Sequence, residues 1–244
     1  MQSRPLAILS DIHGNSEALS QVFADMDAMG IDRAVSLGDN IGYGPWPNEV
    51  VRMLLARKIP SVMGNHESAV LKVSEQRWFN ISARQAIVQT RRLLDEATLR
   101  SISAYPLSLS MENLRFVHGC PPADIRTYLF QKEESELPGL FQVFGEAICF
   151  VGHTHEIGGI LWNGSEIVRK SPGKIPFTLE KGVRAIINCG SVGQPRDGDN
   201  RAKYVIYVPA SRSLFLRKVT YDVERTAAAI RRVGLPEVYA RRLG

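Results

Sequence analysis

Short apolar runs alternate with amphipathic stretches in the first third of the chain. Apolar runs at residues 5–10, 33–37 and 61–63 predict three buried strands. The stretches between them, residues 16–29 and 49–58, place apolar side chains at helical spacing and predict two helices. Strands that alternate with helices in this way form parallel sheets, in which ligands gather at the carboxyl ends of the strands.

Residues 68–104 interrupt this rhythm with a helical pattern that is clearest over residues 82–96. Two positions suit the segment. It can form a partial lid over the functional site, or it can pack on the sheet as an outer helical layer. The sequence leaves both arrangements open.

The second half of the chain is rich in strands and ends in helices. Three-residue turns at 111–113 and 163–165 predict two hairpins. The chain shows no internal repeat, low-complexity segment or linker, so we predict one α/β domain over residues 1–244, with mixed sheets and helices outside. The predicted strands are residues 107–110, 114–118, 147–151, 158–162, 166–170, 183–188, 204–208 and 214–219, and the predicted helices are residues 222–233 and 236–243.

Polar side chains stand where many of these strands end. His153 and His155 follow an apolar run and Gly152, and in an extended chain residues two apart point to the same side. Asp11 and His13 repeat this spacing after the first strand. Seven nitrogen or oxygen donors in such positions are candidate metal ligands: Asp11, His13, Asp39, Asn65, His118, His153 and His155.

This donor set indicates two metal ions rather than one. Four imidazoles, two carboxylates and an amide are more donors than one transition metal uses, and a carboxylate can bridge two ions. Imidazole together with carboxylate favours Mn, Fe, Zn, Co or Ni over calcium. Two ions about 3.5–4 Å apart clamp a phosphoryl group and lower the pKa of a bridging water, which becomes the nucleophile. The remaining histidine, His66, can then protonate the leaving oxygen or stabilise charge on the phosphate.

The composition of the chain indicates where the protein is located and which partners it has. No apolar stretch approaches the about 20 residues of a membrane span, so we expect no membrane partner. The three cysteines form no C-x-x-C pattern, and we expect reduced thiols in a cytoplasmic protein. The net charge of +5 favours anionic substrates or nucleic acid. Paired arginines at 231–232 and 241–242 are interpreted as solvated helix faces.

The ordered set of motifs resembles that of the calcineurin-like metallophosphoesterase superfamily. A further stretch, residues 188–196, is similar to a motif of the small bacterial and archaeal members. Any one of these motifs is weak, but their order over residues 10–155 is highly specific. The five main motifs are Asp11-x-His13, Gly38-Asp39, Gly64-Asn65-His66-Glu67, His118-Gly119 and Gly152-His153-Thr154-His155.

The resemblance implies a fold and a role for each motif residue. The fold would be a four-layer αββα sandwich of two mixed β-sheets flanked by helices. Asp39 would bridge two divalent ions, with manganese favoured, and His66 would be the catalytic histidine near the leaving group. Asn40, Asn65 and Arg196 are the predicted substrate contacts. One ion would be held by Asp11, His13, Asp39 and His155, and the other by Asp39, Asn65, His118 and His153.

Two positions depart from the family pattern. Protein-phosphatase members have an acidic residue three places after the bridging aspartate, where this chain has Gly42, which argues against a protein-serine/threonine phosphatase. Cys189 stands where small members have proline.

The favoured function is hydrolysis of a phosphodiester, phosphomonoester or phosphoanhydride of a small molecule or nucleotide, through a hydroxide that bridges the two metal ions. Within that class, the resemblance leans toward diadenosine-tetraphosphate hydrolases and small phosphodiesterases. The alternatives are a nuclease acting on nucleic acid and a non-catalytic scaffold of the retromer type, which lacks the histidine found here at His66. A homo-oligomer is compatible with the sequence.

Overall fold

The structure, a computed structural model, describes residues 4–170 and 177–244. Its first part alternates strands with helices and then becomes helical. These elements are β1 (Leu6–Leu9), α1 (Ser16–Ala28), β2 (Ala34–Ser36), α2 (Pro47–Ala56), α3 (Asn65–Leu71), a 3₁₀ turn (Val73–Trp78), α4 (Ile81–Leu93) and α5 (Glu96–Ser103).

The remainder is built mainly of strands and closes with two helices. The strands are β3 (Ser108–Met111), β4 (Leu114–Val117), β5 (Ile148–Val151), β6 (Ile157–Trp162), β7 (Ile167–Lys170), β8 (Phe177–Thr178), β9 (Arg184–Cys189), β10 (Ala202–Val208) and β11 (Ser213–Val219). The helical elements are 3₁₀ turns at Leu129–Gln131 and Glu134–Glu136, α6 (Leu137–Leu140), α7 (Val223–Arg232) and α8 (Glu237–Arg241).

These strands form two mixed sheets. The first has the order β2-β1-β10-β11-β8, in which only β1 and β2 run parallel among the described strands. The second has the order β3-β4-β5-β9-β6-β7, with the parallel strands β4, β5 and β9 in its middle. In that centre Phe150 is paired with Phe116 on one side and Ile187 on the other.

The two sheets pack against each other, and each also packs against helices on its outer face, which gives four layers. Ile8 of β1 and Phe150 of β5 belong to one core cluster between the two sheets. Leu9, the next residue along β1, packs instead with α1, and Val151 of β5 packs with the helical residues around Phe141. Because successive strand residues face opposite sides, each sheet buries both faces. The predicted αββα sandwich is confirmed.

The helical segment at residues 68–104 both packs on the neighbouring helices and contributes side chains to a cleft. Ile87 of α4 and Ile102 of α5 are fully buried against α2 and α3, which makes this part an outer helical layer. Five residues from the 3₁₀ turn to the start of α4 line the cleft at the strand ends: Glu75, Trp78, Phe79, Asn80 and Ala83. None of the helices within the described residues combines the length and apolar character needed to cross a bilayer.

Some predicted boundaries are wrong. The strand predicted at 61–63 is reduced to a single bridge between Ser61 and Ser36. The chain leaves the sheet there because Met63 donates its backbone N–H to Pro106 and α3 begins at Asn65. Helix α2 begins two residues earlier than predicted, at Pro47, where a proline's fixed φ suits the first turn.

Candidate metal centre and active-site cleft

The loops that follow β1, β2, β4 and β5 meet at one end of the two sheets. Together with the first turn of α3, which carries the half-buried Asn65, they bring together all seven predicted metal ligands, of which the other six are buried. The residues are Asp11, His13, Asp39, Asn65, His118, His153 and His155.

The backbone conformation at these residues differs from the predicted extended chain. Asp11 and His13 have φ values of 51° and 50°, and His153 and His155 have 66° and 62°, so neither pair is extended. The left-handed region costs a non-glycine residue about 1–3 kcal/mol and is concentrated at functional sites. Tight turns of left-handed residues, rather than extended strand ends, aim each pair at the cluster.

One group of donors surrounds the carboxylate of Asp11. Its Oδ1 lies 3.2 Å from His155 Nε2 and 3.7 Å from His13 Nε2. The two imidazole nitrogens are 3.1 Å apart. Separations of this size match the edges of a coordination sphere with metal–ligand bonds of about 2.0–2.2 Å.

A second group surrounds His118. Its Nε2 lies 2.9 Å from Asn65 Oδ1, 3.2 Å from His153 Nδ1 and 3.3 Å from Asp39 Oδ2. The same Asp39 oxygen is 3.8 Å from His13 Nε2 in the first group. Asp39 therefore lies between the two groups, as a bridging carboxylate must.

The hydrogen bonds of the four imidazoles fix the tautomer of each neutral ring. The tautomer determines which nitrogen carries the lone pair. On each ring, the nitrogen that points away from the cluster donates to a backbone carbonyl. A neutral imidazole that donates from one nitrogen presents a lone pair on the other, and this partnering fixes the tautomer of metal-binding histidines. The four bonds are His13 Nδ1 to Ile41 at 3.1 Å, His118 Nδ1 to Leu37 at 2.8 Å, His155 Nδ1 to Gln194 at 2.5 Å and His153 Nε2 to Arg126 at 2.9 Å.

Lone pairs that face each other need a cation between them. The inner nitrogens of His13 and His155, and those of His118 and His153, approach within 3.1 and 3.2 Å, so two lone pairs face each other in each pair when the rings are neutral. Asp11 Oδ1 is buried without a hydrogen-bond partner in residues 4–170 and 177–244. The residues present therefore fit a pair of divalent ions.

Charge within the cluster favours ionised carboxylates. Burial raises the pKa of Asp11 and of Asp39, but the neighbouring imidazoles, His155 for the first and His118 for the second, hold both pKa values well below the usual range. Burial lowers the pKa of His153 to about 3, which keeps that ring neutral and able to bind a metal.

His66 stands beside the candidate ligands and is packed by aromatic rings. Its ring meets Tyr43 and Phe79 edge to face, with centroids 4.3 and 5.1 Å away. His66 Nε2 lies 3.9 Å from Asp39 Oδ2, and His66 lines the same cleft as the candidate ligands. Burial lowers the pKa of His66 to about 4.

Gly42 explains how His66 is accommodated without an acidic partner. A Cβ added at Gly42 would lie 2.2 Å from His66 Nδ1, so the ring occupies the space of a side chain. His66 Nδ1 is buried and has no hydrogen-bond partner among the described residues. The departure from the protein-phosphatase pattern noted in the sequence is therefore a difference in how this histidine is held.

Glu67 is a supporting residue that the sequence reasoning did not single out. Its fully buried carboxylate accepts backbone N–H groups from Asp39 at 2.9 Å, Asn40 at 2.7 Å and Gly64 at 3.0 Å. It ties the loop of the bridging aspartate to the start of α3. The available signal was its place in the Gly64–Glu67 motif.

Residues 188–196 form hydrogen bonds to the loops that carry the candidate ligands. Ser191 Oγ donates to the backbone carbonyl of Asp11 at 2.8 Å, and Asn188 Nδ2 donates to that of Gly152 at 2.9 Å. Cys189 is a fully buried residue of the core between the sheets. Arg196, at the end of the stretch, lines the cleft and has a buried Nε without a partner within the described chain.

A cleft of about 310 Å³ opens over the cluster. The predicted contacts Asn65 and Arg196 line it, together with His66. Asn40 does not: it is fully buried, and its side chain bonds Ser36 Oγ at 2.5 Å and Ser61 Oγ at 2.8 Å. The sequence reasoning missed several lining residues, which come from distant loops and the C-terminus: Glu75, Trp78, Arg126, Tyr128, Tyr239 and Arg242.

A four-layer αββα fold with this donor set at its strand ends defines a class, the metal-dependent phosphoesterases. The profile of the calcineurin-like phosphoesterase family matches residues 4–157. The chain belongs to the calcineurin-like phosphoesterase family, and it is a hydrolase.

Relatives cover nearly the whole chain. The uncharacterized protein MJ0912 of Methanocaldococcus jannaschii is 33% identical over 250 residues, which cover 98% of this chain and 96% of that protein. The crystal structure of a metallophosphoesterase from Sphaerobacter thermophilus matches with a TM-score of 0.81 at 34% identity, covering 99% of this chain and 98% of the other. Hypothetical protein PH1004 from Pyrococcus horikoshii OT3 shares the fold, with a TM-score of 0.80 at 15% identity over 99% of this chain and 98% of that one.

Proposed function

We propose that the protein hydrolyses a phosphoester or phosphoanhydride of a small molecule or nucleotide with two divalent metal ions bound at the cluster. The observation that carries the proposal is the set of inward-facing imidazole lone pairs around Asp11 and Asp39. The proposed ligands of one ion are Asp11, His13, Asp39 and His155, and those of the other are Asp39, Asn65, His118 and His153.

Two bound ions would supply charge neutralisation on the phosphoryl group and a water of lowered pKa. Manganese is the proposed native metal, because imidazole and carboxylate oxygen suit the divalent ions of this part of the transition series. Three buried cysteines without disulfides, Cys120, Cys149 and Cys189, support the proposed cytoplasmic location.

The chain itself positions the substrate and handles a proton. His66, which lines the cleft beside Asp39, is proposed to protonate the leaving oxygen or, as the neutral ring that its lowered pKa favours, to donate a hydrogen bond that stabilises charge on the phosphate. The guanidinium of Arg196 is the proposed partner of a phosphate oxygen, because it lines the cleft and its buried Nε has no partner within the described residues. Asn65 has a double role in the proposal, as a ligand and as a substrate contact.

The size of the cleft favours a small substrate. Sites for small molecules have volumes of about 300–1,000 Å³, and this cleft of about 310 Å³ lies at the lower end. A nucleic-acid duplex or a folded phosphoprotein would have to reach the candidate ligands at the base of this small cleft. The nuclease alternative is therefore less favoured than a small-molecule phosphoesterase.

The test is a metal titration of the stripped enzyme. The apo protein is assayed with bis(p-nitrophenyl) phosphate and p-nitrophenyl phosphate while Mn²⁺ is added. We expect turnover to appear with metal and to fall at least about 100-fold in Asp39→Asn, in line with loss of metal-based catalysis. Asp32→Asn, whose carboxylate is 63% exposed, is the matched control and should match the wild type. Equal turnover in Asp39→Asn and in the control would overturn the proposal.

A further inference from the structure

We propose that the cleft takes a nucleoside oligophosphate, with the base stacked on Trp78 and the phosphate chain running between arginines toward the metal cluster. This inference rests on the proposed function and names its substrate class. The rim formed by Glu75, Trp78 and Arg126 is called the Trp78 rim below.

Trp78 is an unusually exposed aromatic residue for one that lines a cleft. Its side chain is 61% exposed at the end of the 3₁₀ turn. The guanidinium groups of Arg77 and Arg126 lie 5.1 and 5.5 Å from its ring centre, and Arg126 is paired with Glu75. The ring is thus held at the rim with much of its surface available to a planar ligand. Stacking on such a ring suits every nucleobase, since each base has a π-face.

A second aromatic ring, that of Tyr128, connects the Trp78 rim to the proposed metal ligands. Tyr128 stacks on His153, with ring centres 4.0 Å apart and planes 15° apart. Arg126, two residues earlier, receives the hydrogen bond of His153 Nε2 on its backbone carbonyl. One loop therefore supports a proposed metal ligand and carries part of the Trp78 rim, so a single small molecule can contact both.

The charges of the cleft fit more than one phosphate group. Arg196 and Arg242 line it, and neither forms an ion pair with a residue of 4–170 or 177–244. Arg242 lies over the ring of Tyr239, 5.7 Å from its centre. The carboxylate of Glu75 is already balanced by Arg126. Two uncompensated guanidinium groups, in addition to the ions, favour an extended polyanion over a single phosphate.

Equilibrium binding to the metal-loaded full chain tests the base subsite. The probes are adenosine 5′-(β,γ-imido)triphosphate and tripolyphosphate, which share three linked phosphorus centres but differ in the nucleoside. We expect Trp78→Ala to weaken binding of the nucleotide about tenfold and to leave that of tripolyphosphate within about twofold. Trp78→Phe should restore most of the affinity. Val73→Ala, on the same turn and 78% exposed, is the matched control and should change neither.

The arginine arm of the test uses neighbouring residues of the C-terminal region. Arg242→Gln should weaken binding of both probes by a similar factor, because its charge acts on the phosphates. Arg241→Gln removes a guanidinium that is 74% exposed and does not line the cleft, and it should change neither affinity. In the wild type, binding of the nucleotide should also quench tryptophan fluorescence, and Trp78→Phe should abolish that quenching.

Two results would overturn the inference. One is equal affinity of the wild type for both probes. The other is an unchanged nucleotide affinity in Trp78→Ala. If the model esters are hydrolysed in a metal-dependent way but either result is found, only the base subsite fails. If the esters are not hydrolysed while nucleotide binding still depends on Trp78, the subsite stands and the proposed function fails.

Discussion

His118 shows how one side chain is prepared for a metal ion. Its Nδ1 donates to the carbonyl of Leu37 at 2.8 Å, so that Nε2 carries the lone pair when the ring is neutral. That nitrogen faces Asn65, His153 and Asp39 within 3.3 Å. The carbonyls that fix the four imidazoles belong to the polypeptide backbone, so the tautomers follow from the fold rather than from other titrating side chains.

At the residue scale, much of the candidate site could be predicted. Each of the seven donors stands within three residues of a glycine near the end of an apolar run, and that local pattern carries its own signal. The left-handed turns of Asp11 and His153 could not be predicted, because the same residues also fit an extended strand end. Asn40 was misplaced because its neighbour Asp39 belongs to the cluster, whereas Asn40 turns inward to Ser36 and Ser61.

Gly42 makes the position of His66 testable. In Gly42→Ala, the new Cβ would meet the ring at 2.2 Å from Nδ1 and displace it, and the left-handed φ of 88° adds strain. We expect kcat for bis(p-nitrophenyl) phosphate to fall at least about tenfold, less than the about 10²–10⁴-fold effect of a whole acid–base group because the ring is displaced and not removed, while bound Mn²⁺ per chain stays unchanged. Steady-state kinetics and metal analysis measure the two quantities.

Gly145→Ala is the control for this substitution. Nothing lies within 4 Å of a Cβ at that position, so its kcat should equal that of the wild type. A Gly42→Ala enzyme with full kcat would show that the packing of His66 does not matter for turnover.

Helix α1 is attached to the first sheet by a partly buried charge pair. Asp25 receives two hydrogen bonds from Arg217 of β11, at 2.6 and 3.0 Å, and one from Tyr204 of β10 at 2.7 Å. These hydrogen bonds, with Arg217 first, hold the pKa of Asp25 below its ordinary value although partial burial opposes this. A carboxylate with a lowered pKa stabilises the fold above its unfolded-state pKa, and this contribution is lost as the pH falls through the folded-state pKa.

Asp25→Asn should therefore destabilise the protein in a pH-dependent way. We expect a loss of about 1 kcal/mol at pH 7, kept small because the Arg217 guanidinium is 40% exposed. The loss should shrink below about pH 4, near the ordinary pKa of an aspartate. Urea unfolding of both proteins in chelator at each pH gives the comparison.

Asp27→Asn serves as the control on the same helix. Its carboxylate also pairs with an arginine, Arg57, but is 57% exposed, so a smaller effect is expected. A loss in Asp25→Asn that stays constant from pH 7 to pH 3 would contradict the assigned role of the charge pair.

At the element scale, long periodic segments could be predicted and short ones could not. Strand β1 and helix α1 have clear apolar periodicity, and both were predicted close to their observed bounds. Strand β8 has two residues and α6 has four, too few to show a period. The Trp78 rim comes from a turn and a loop that approach only in the folded chain, so no local pattern could reveal it.

The site joins the two sheets of the molecule. Asp11 and Asp39 follow strands of the first sheet, whereas His118 and His153 follow strands of the second. Ions held between them would cross-link the sheets and bind only the folded chain. The single domain over residues 1–244 stays a prediction, and so does the homo-oligomer.

Metal binding should therefore raise the stability of the whole protein. One site at 100 times its dissociation constant contributes about 2.7 kcal/mol, and in a chain of this size each kcal/mol raises Tm by about 2–4 °C. We expect Tm to rise by at least about 5 °C when Mn²⁺ is added to the stripped wild type. Calorimetry with and without EDTA measures the shift.

Asp39→Asn should show a smaller rise, because both groups lose a carboxylate oxygen of the bridging residue. An equal rise in Asp39→Asn and in the wild type would mean that the stabilising ions bind elsewhere on the chain.

The most direct measurement of the central claim is the number of Mn²⁺ ions bound per chain, determined by mass spectrometry of the metal content after equilibrium dialysis. We predict two ions in the wild type. In His118→Ala, which removes the nitrogen at the centre of one group, we predict one ion, since Asp11, His13 and His155 still hold the other. A single ion in the wild type, or an unchanged number in His118→Ala, would contradict the dinuclear assignment.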